Sequence, residues 1–464
     1  MTVWARRIAA RVLGMAVFDN LLIVAAVLAS VWLRLGDEGW VTFRLGGGLA
    51  KAWLIAAVVQ MCLYFWDLYD SRRDADLREL FIRLMQALGA ASFCLAVLYF
   101  WLPGVLIGRG VFLIAGFLVV LAVGGWRLVG HWIGGRTQPS ERLLLVGTGP
   151  QAISLARELF DRRFELGVEI VGFIDPDPKK IGAPIINPGV IGSIDDIPAI
   201  AEARGVNRVV VSVADARGKL PMDKLLKMKL AGVQFDHLAS VYEEYTGKIA
   251  IENLRPSWFI FSSGFQKTRW LTASKRAFDV AAAILGLVLG LPLMLLVAAV
   301  LKLTSRGPVF YDQTRVGQYG RHFTMHKFRS MRIDAEASTG AVWATQNDSR
   351  VTPIGRFLRR TRLDEMPQLW NVLAGEMSLV GPRPERPEFV DGLTQKIPFY
   401  GERHVVKPGV TGWAQVCYRY GASVEDALEK LQYDLFYVKN VTLAFDLLIV
   451  FNTVKTVLFR RGAA

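Results

Sequence analysis

Hydrophobic and polar positions divide the chain into zones of different period. Gly14–Leu35, Leu49–Tyr69, Phe81–Trp101 and Val111–Ile133 are apolar almost without a break, and each reaches the roughly 20 residues that cross a bilayer. After Arg142 the pattern shortens. The run Leu143–Val146 is followed by Gly147-Thr148-Gly149 and a helical period at Ala156, Leu159 and Phe160; further short runs end at Asp175 and Val213. That alternation predicts βαβ units in a doubly wound parallel sheet. A fifth long apolar run, Val280–Leu301, is interrupted by Gly290-Leu291-Pro292. Then come extended segments around Val309–Tyr311 and Arg321–Phe328, polar turns, and Val441–Phe459, where Thr442, Asp446, Thr453, Thr456 and Arg460 share one helical face. That last segment is expected to lie at a membrane interface.

Composition sharpens this picture. Of 464 residues 52% are hydrophobic, which marks a membrane protein, and the net charge of +14 suits work against anionic lipid and anionic substrates. No nucleic-acid module or basic run with interleaved aromatics accompanies the charge, so nucleic acid is excluded as a partner. Cys62, Cys94 and Cys417 imply no disulfide framework, and no cleavable signal peptide is expected. Arg6, Arg7, Arg11, Arg72, Arg73, Arg78, Arg136 and Arg142 fall on one side of the four apolar segments, against Arg44, Lys51 and Arg109, which puts both ends of the bundle in the cytoplasm. Asp19, Asn20 and Asp67, in or near these segments, are assigned no chemistry.

The chemistry concentrates later, in Arg359-Arg360-Thr361-Arg362-Leu363-Asp364-Glu365-Met366-Pro367-Gln368-Leu369. Pro367 belongs in a first helical turn, so a helix is expected to begin at Asp364 or Glu365, with both acids at its positive end. A lone Asp-Glu pair would be read as a helix cap. Here Lys327-Phe328-Arg329, Gly381-Pro382-Arg383-Pro384 and Pro408-Gly409-Val410-Thr411-Gly412-Trp413 supply further basic and glycine-proline turns, which suit a phosphorylated ligand. His322 and His326 are four apart, but in an extended stretch they do not make a metal pair.

From Lys275 onward, through Lys275-Arg276-Ala277-Phe278-Asp279, Val309–Gly317, the motifs above and Tyr433–Asn440, the chain resembles the bacterial polyprenyl-phosphate sugar phosphotransferases, the monotopic phosphoglycosyl transferases in their long form. The resemblance implies a transmembrane bundle at 1–136, a Rossmann-like cytosolic domain with linker at 137–268, and an α/β catalytic domain at 269–464 with a re-entrant helix at 280–301. It implies a multi-pass protein of the bacterial inner membrane with its catalytic domain on the cytoplasmic face. It also implies transfer of glucose or galactose 1-phosphate from a UDP-sugar to undecaprenyl phosphate, with UMP released. That step would begin exopolysaccharide, capsule or O-antigen synthesis and hand its product to downstream glycosyltransferases. Asp364 would be the nucleophile that forms a phosphosugar-aspartyl enzyme, and Glu365 would hold Mg²⁺. Lys327, Arg329, Arg359 and Arg383 would contact phosphates. Where this family usually has Ser before the re-entrant proline, this chain has Leu291.

Two other classes are weighed against this one. A membrane-anchored nucleotide-sugar dehydratase or epimerase would use the turn at Gly147 and Gly149, with Asp175 as the ribose acid; that pattern is weak, and no tyrosine here has a lysine four residues on. The favoured reading of the turn is an αβ module that kept the tight turn for packing and lost its ligand. A non-catalytic scaffold of polysaccharide assembly would carry a dead Asp-Glu site. No residue pattern demonstrates a homodimer, although one is compatible with this layout.

Overall fold

The computed structural model describes residues 3–66, 68–69, 77–105, 107–134, 141–161, 163, 167–185, 188–212, 221–251, 259, 262, 264–265, 267–333, 335, 348–418, 421 and 423–459. Most of the linker read from the sequence at Gly134–Pro139, most of the loop read at Asp334–Asn347, and Asp67, Arg72, Arg73, Arg136 and Arg460 lie outside them. The chain forms two compact units, Met1–Val241 and Tyr242–Ala464, each described by itself.

The first unit opens with four long helices: α1 (Val3–Leu45), α2 (Gly48–Phe65), α3 (Leu77–Trp101) and α4 (Arg109–Gly134). Within them Gly14–Asp37, Gly48–Phe65, Leu80–Trp101 and Gly110–Arg127 are long and apolar enough to cross a membrane. Their contacts are made by Ile23, Val27, Ala52, Leu63, Ala87 and Val123, all fully buried, while Phe93, Phe100, Leu113 and Phe117 face outward. An apolar outer surface around an apolar interior is what lipid demands. Asp19, fully buried, pairs with Arg127 Nη2 at 2.7 Å and accepts from Trp126 Nε1 at 2.7 Å, which ties α1 to α4.

The α/β part follows: β1 (Glu141–Val146), α5 (Pro150–Asp161), β2 (Val168–Ile174), β3 (Val190–Gly192), α6 (Ile197–Arg204), β4 (Arg208–Val211), α7 (Met222–Leu230) and β5 (Gln234–His237). All four pairings are parallel, in the order β3-β2-β1-β4-β5, so the expected doubly wound sheet is present. Leu143–Val146 are buried on both faces, which is why the strand reads as a continuous apolar run. Gly147 turns the chain out of β1 at φ 110°, a conformation that favours glycine.

The second unit contains α8 (Leu238–Thr246, from Tyr242 on), α9 (Arg269–Thr304), the antiparallel hairpin β6 (Phe310–Val316) and β7 (His322–Phe328), and α10 (Pro353–Thr361). Next come α11 (Gln368–Ala374), β8 (Ser378–Val380), α12 (Pro387–Lys396), β9 (Gly409–Thr411), α13 (Trp413–Cys417), α14 (Val424–Lys439) and α15 (Leu443–Phe459). Its largest core gathers Ile249, Ile251, Val380, Leu431, Tyr433, Phe436 and Tyr437. Ile249 and Ile251 come from the mixed-charge stretch after Val241, so this segment is part of the core; Trp413 Nε1 donates to Gly247 O at 3.0 Å and holds it there.

Helix α9 stays helical through Pro292, so the pair of helices expected to meet at Gly290–Pro292 is one continuous element. One face of it packs against the rest of the unit through a few residues, Asp279, Ala283, Val297 and Leu301. Arg276 donates to Val372 O at 2.6 Å and Leu373 O at 2.8 Å, Asp279 accepts from Leu379 N at 3.0 Å, and Val297 and Leu301 meet Phe328 and Leu358. The other face exposes Leu285, Val288, Leu289, Leu295 and Leu296. In α15 the polar positions Asp446 and Thr453 turn inward. Asp446, fully buried, accepts from Lys275 Nζ at 2.6 Å and Tyr437 Oη at 2.8 Å, while Leu447, Leu448, Phe451 and Val454 face outward. A buried carboxylate needs partners, and α9 and α14 supply them.

Candidate active site

The two adjacent acids do not begin a helix. Thr352 caps α10, its Oγ1 accepting from Gly355 N at 2.9 Å. The helix ends where Arg362 enters the left-handed region at φ 57°. Leu363–Glu365 then form a 3-10 turn, and α11 begins only at Gln368, after Pro367. The expected start at Asp364 or Glu365 is therefore corrected: the reversed backbone at Arg362 forces a tight turn with bonds such as Glu365 N to Arg362 O. The charge on Glu365 is balanced by side chains of Lys327, Arg362 and Arg383.

Both acids are buried, yet their surroundings differ. Glu365 Oε1 meets Arg383 Nη2 at 2.7 Å and Lys327 Nζ at 3.5 Å, while Oε2 meets Arg362 Nη1 at 3.3 Å. Asp364 makes no side-chain hydrogen bond or ion pair among the described residues. Burial raises both carboxyls. At Glu365 the cations Arg383, Lys327 and Arg362 outweigh it and hold the carboxyl below its ordinary range. At Asp364 burial, with the charge of Glu365 beside it, prevails over Lys327, Arg359 and Arg383, and the pKa is raised. Lys327 is itself pushed down to about 8 by burial, with Glu365 pulling the other way and Arg383 adding to the depression. One carboxylate is thus neutralised and fixed. The other is left open to react.

The structure therefore brings together Asp364, Glu365, Lys327 and Arg383, with Arg359 near enough to act on Asp364 through its charge. Arg359 Nε is held by Ser330 Oγ at 2.8 Å. Arg329 is not brought in. Its guanidinium turns to the end of α9, donating to Arg306 O at 2.8 Å and Ser305 Oγ at 2.6 Å, because the open carbonyls after that helix need a donor. One contributor lacked a sequence signal. Asn371, fully buried, donates to Thr324 O at 2.7 Å and accepts from His326 N at 3.1 Å, which fixes α11 against the strand carrying Lys327. Arg362, one of the basic residues read from the sequence as positive charge beside the acids, is placed on Glu365 Oε2.

Adjacent hard oxygens fit Mg²⁺, which is commonly held by one or two carboxylates with substrate phosphates completing the shell. Among the described residues no cluster of three or more His, Cys, Asp or Glu forms an all-protein cage. In the α/β part, Gly147, Gly149 and Asp175 do meet at one turn, but the Asp175 carboxylate is already occupied. It accepts from the Thr148 hydroxyl, from Asp177 N at 2.9 Å and from Lys180 Nζ at 3.0 Å.

Comparison with known proteins gives this geometry its setting. Residues 270–460 match the family described as bacterial sugar transferase, and residues 65–220 match a family described as CoA-binding domain. A UDP-glucose:undecaprenyl-phosphate glucose-1-phosphate transferase of Xanthomonas campestris pv. campestris is 32% identical over 98% of this chain and 95% of its own. The chain belongs to the bacterial sugar transferase family. As a member it is a phosphotransferase with a membrane-associated body. A protein of the same name from Escherichia coli (strain K12) is 36% identical over 68% of this transferase and 67% of its own length. A UDP-N-acetylgalactosamine-undecaprenyl-phosphate N-acetylgalactosaminephosphotransferase of Aeromonas hydrophila is 42% identical over 52% of this chain, which spans 56% of that protein.

Proposed function

We propose that the protein transfers a hexose 1-phosphate from a UDP-sugar to undecaprenyl phosphate through a covalent intermediate on Asp364. The observation that carries this reading is the contrast within the dyad, an unpartnered Asp364 beside a Glu365 held by three cations. A carboxylate oxygen of Asp364 attacks the phosphorus that bears the sugar; its bond to the bridging oxygen breaks and UMP leaves with that oxygen. The lipid phosphate then attacks the same phosphorus, forming a diphosphate and freeing Asp364. Lys327 and Arg383 stand where they can neutralise phosphate oxygens as charge moves onto them, and Arg359 adds to the positive field. Mg²⁺ bound at Glu365 and the diphosphate would spread that charge further.

Glucose is the donor we favour, because the relative aligned over nearly its whole length carries that name; galactose and N-acetylgalactosamine are the alternatives. Membrane placement is part of the same reading. Contacts at both ends of α9 with one folded body support a helix that enters one leaflet and returns, with its leucine face in lipid and the catalytic unit in the cytoplasm. The occupied Asp175 supports an α/β module that serves without a nucleotide.

The test is UMP release by detergent-purified protein given Mg²⁺, undecaprenyl phosphate and, separately, UDP-glucose, UDP-galactose or UDP-N-acetylgalactosamine, with Asp364→Asn alongside. Release with one donor, abolished in the variant, together with radiolabel from the sugar phosphate retained on wild-type protein when lipid is withheld, is expected. Silence with every donor from folded protein would overturn the reading.

A further inference from the structure

The turn that carries Arg383 is gripped along its main chain. Pro382 and Pro384 have no N–H, so the Gly381–Glu385 segment offers mainly acceptors. Four consecutive carbonyls are taken: Pro382 O by Gly409 N at 2.9 Å, Arg383 O by Arg403 Nη2 at 3.0 Å, Pro384 O by Arg315 Nη1 at 3.0 Å, and Glu385 O by Val316 N at 3.0 Å. Two of the four donors are guanidinium groups from separate elements, β6 and the 3-10 turn Tyr400–Val405.

Arg403 is itself fixed. It is buried, donates from Nε and Nη2 to Asp434 Oδ2 at 3.0 and 2.7 Å, and from Nη1 to Tyr400 Oη at 2.8 Å. The planar fork of arginine lets one side chain serve a carboxylate, a phenol and a carbonyl at once. Arg315 donates to Gln313 as well as to Pro384 O, and its guanidinium lies 3.7 Å from Glu385. Among the described residues no hydrogen bond or ion pair joins either arginine to the acids at 364 and 365. Both act on the backbone from which Arg383 reaches Glu365.

We infer that Arg403 and Arg315 are positioning residues for the transfer reaction: by holding the carbonyls of Arg383 and Pro384 they aim the Arg383 guanidinium at Glu365 and the substrate phosphates. This rests on the proposed function of the Asp364–Glu365 site. A lysine at either place keeps the charge but cannot bridge the same set of acceptors, so Arg383 loses its aim while the ion pair with Asp434 or Glu385 persists.

The experiment is a double-mutant cycle on full-length protein, reading kcat/KM for UMP release from the preferred UDP-sugar. Arg403→Lys and Arg315→Lys are each made in the wild-type and Arg383→Ala backgrounds, with thermal unfolding measured for all. Each is expected to lower kcat/KM about tenfold or more with Arg383 present and less than about twofold without it, since neighbours acting through one group are not additive. Equal losses in both backgrounds, or none, would overturn the inference. Arg315 is partly exposed and carries the test should Arg403→Lys fail to fold. Wild-type silence would instead count against the proposed function itself.

Discussion

Arg383 Nη2 lies 2.7 Å from Glu365 Oε1, and this contact joins the Gly-Pro-Arg-Pro turn to the acid turn eighteen positions earlier in the chain. Arg383 is the nearest of three cations on one buried carboxylate, so removing the carboxylate charge leaves Arg383, Lys327 and Arg362 facing one another. Glu365→Gln is expected to lower kcat/KM for UMP release by at least about 100-fold, and Arg383→Ala by about 10- to 100-fold. Steady-state kinetics on purified variants checks both.

Lys327 is expected to give the enzyme an alkaline limit. Its ammonium is needed to balance Glu365, and burial brings its pKa down to about 8, so the charge is present below that pH and is lost as pH rises through it. kcat/KM, which follows the free enzyme, should fall with an apparent pKa near 8 and not near the ordinary lysine value. Lys327→Arg should carry the limb beyond pH 10 in whatever activity remains. A profile flat to pH 10 in the wild type would dissociate Lys327 from catalysis.

Gly409 is where β9 meets the turn of Arg383. A Cβ there would sit 2.0 Å from Gly381 N and 2.3 Å from Thr411 O, both backbone atoms that cannot swing aside. Gly409→Ala is expected to destabilise the catalytic unit by about 2–3 kcal/mol, in the range of other overpacking substitutions, and to release the bond to Pro382 O. Thermal unfolding in detergent reads the first effect and UMP release the second.

The placement of α9 can be tested from its two ends. Arg269 and Arg306 are exposed, one at each end. In a background with Cys62, Cys94 and Cys417 replaced, Arg269→Cys and Arg306→Cys should both react with an impermeant maleimide in inverted vesicles, and neither in right-side-out vesicles. Labelling from opposite sides would mean that α9 spans the bilayer.

Apolar run length announced the four apolar helices and α9, and alternating period announced the parallel sheet, because each pattern is set by what its own segment must bury. The Asp-Glu pair and the Gly-Pro-Arg-Pro turn were legible for a similar local reason: unusual residues close together in the chain. Partnership was not. Arg329 stood beside Lys327 in a basic motif, yet its guanidinium goes to the end of α9, and nothing in the sequence paired Asp446 of α15 with Lys275. The difference between Asp364 and Glu365 has the same origin. In the sequence they are adjacent carboxylates; only the folded chain, bringing Lys327 and Arg383 from separate strands and turns, neutralises one and leaves the other open. Side-chain electrostatics at a buried site depend on distances across the fold, and those are decided by packing between elements far apart in sequence.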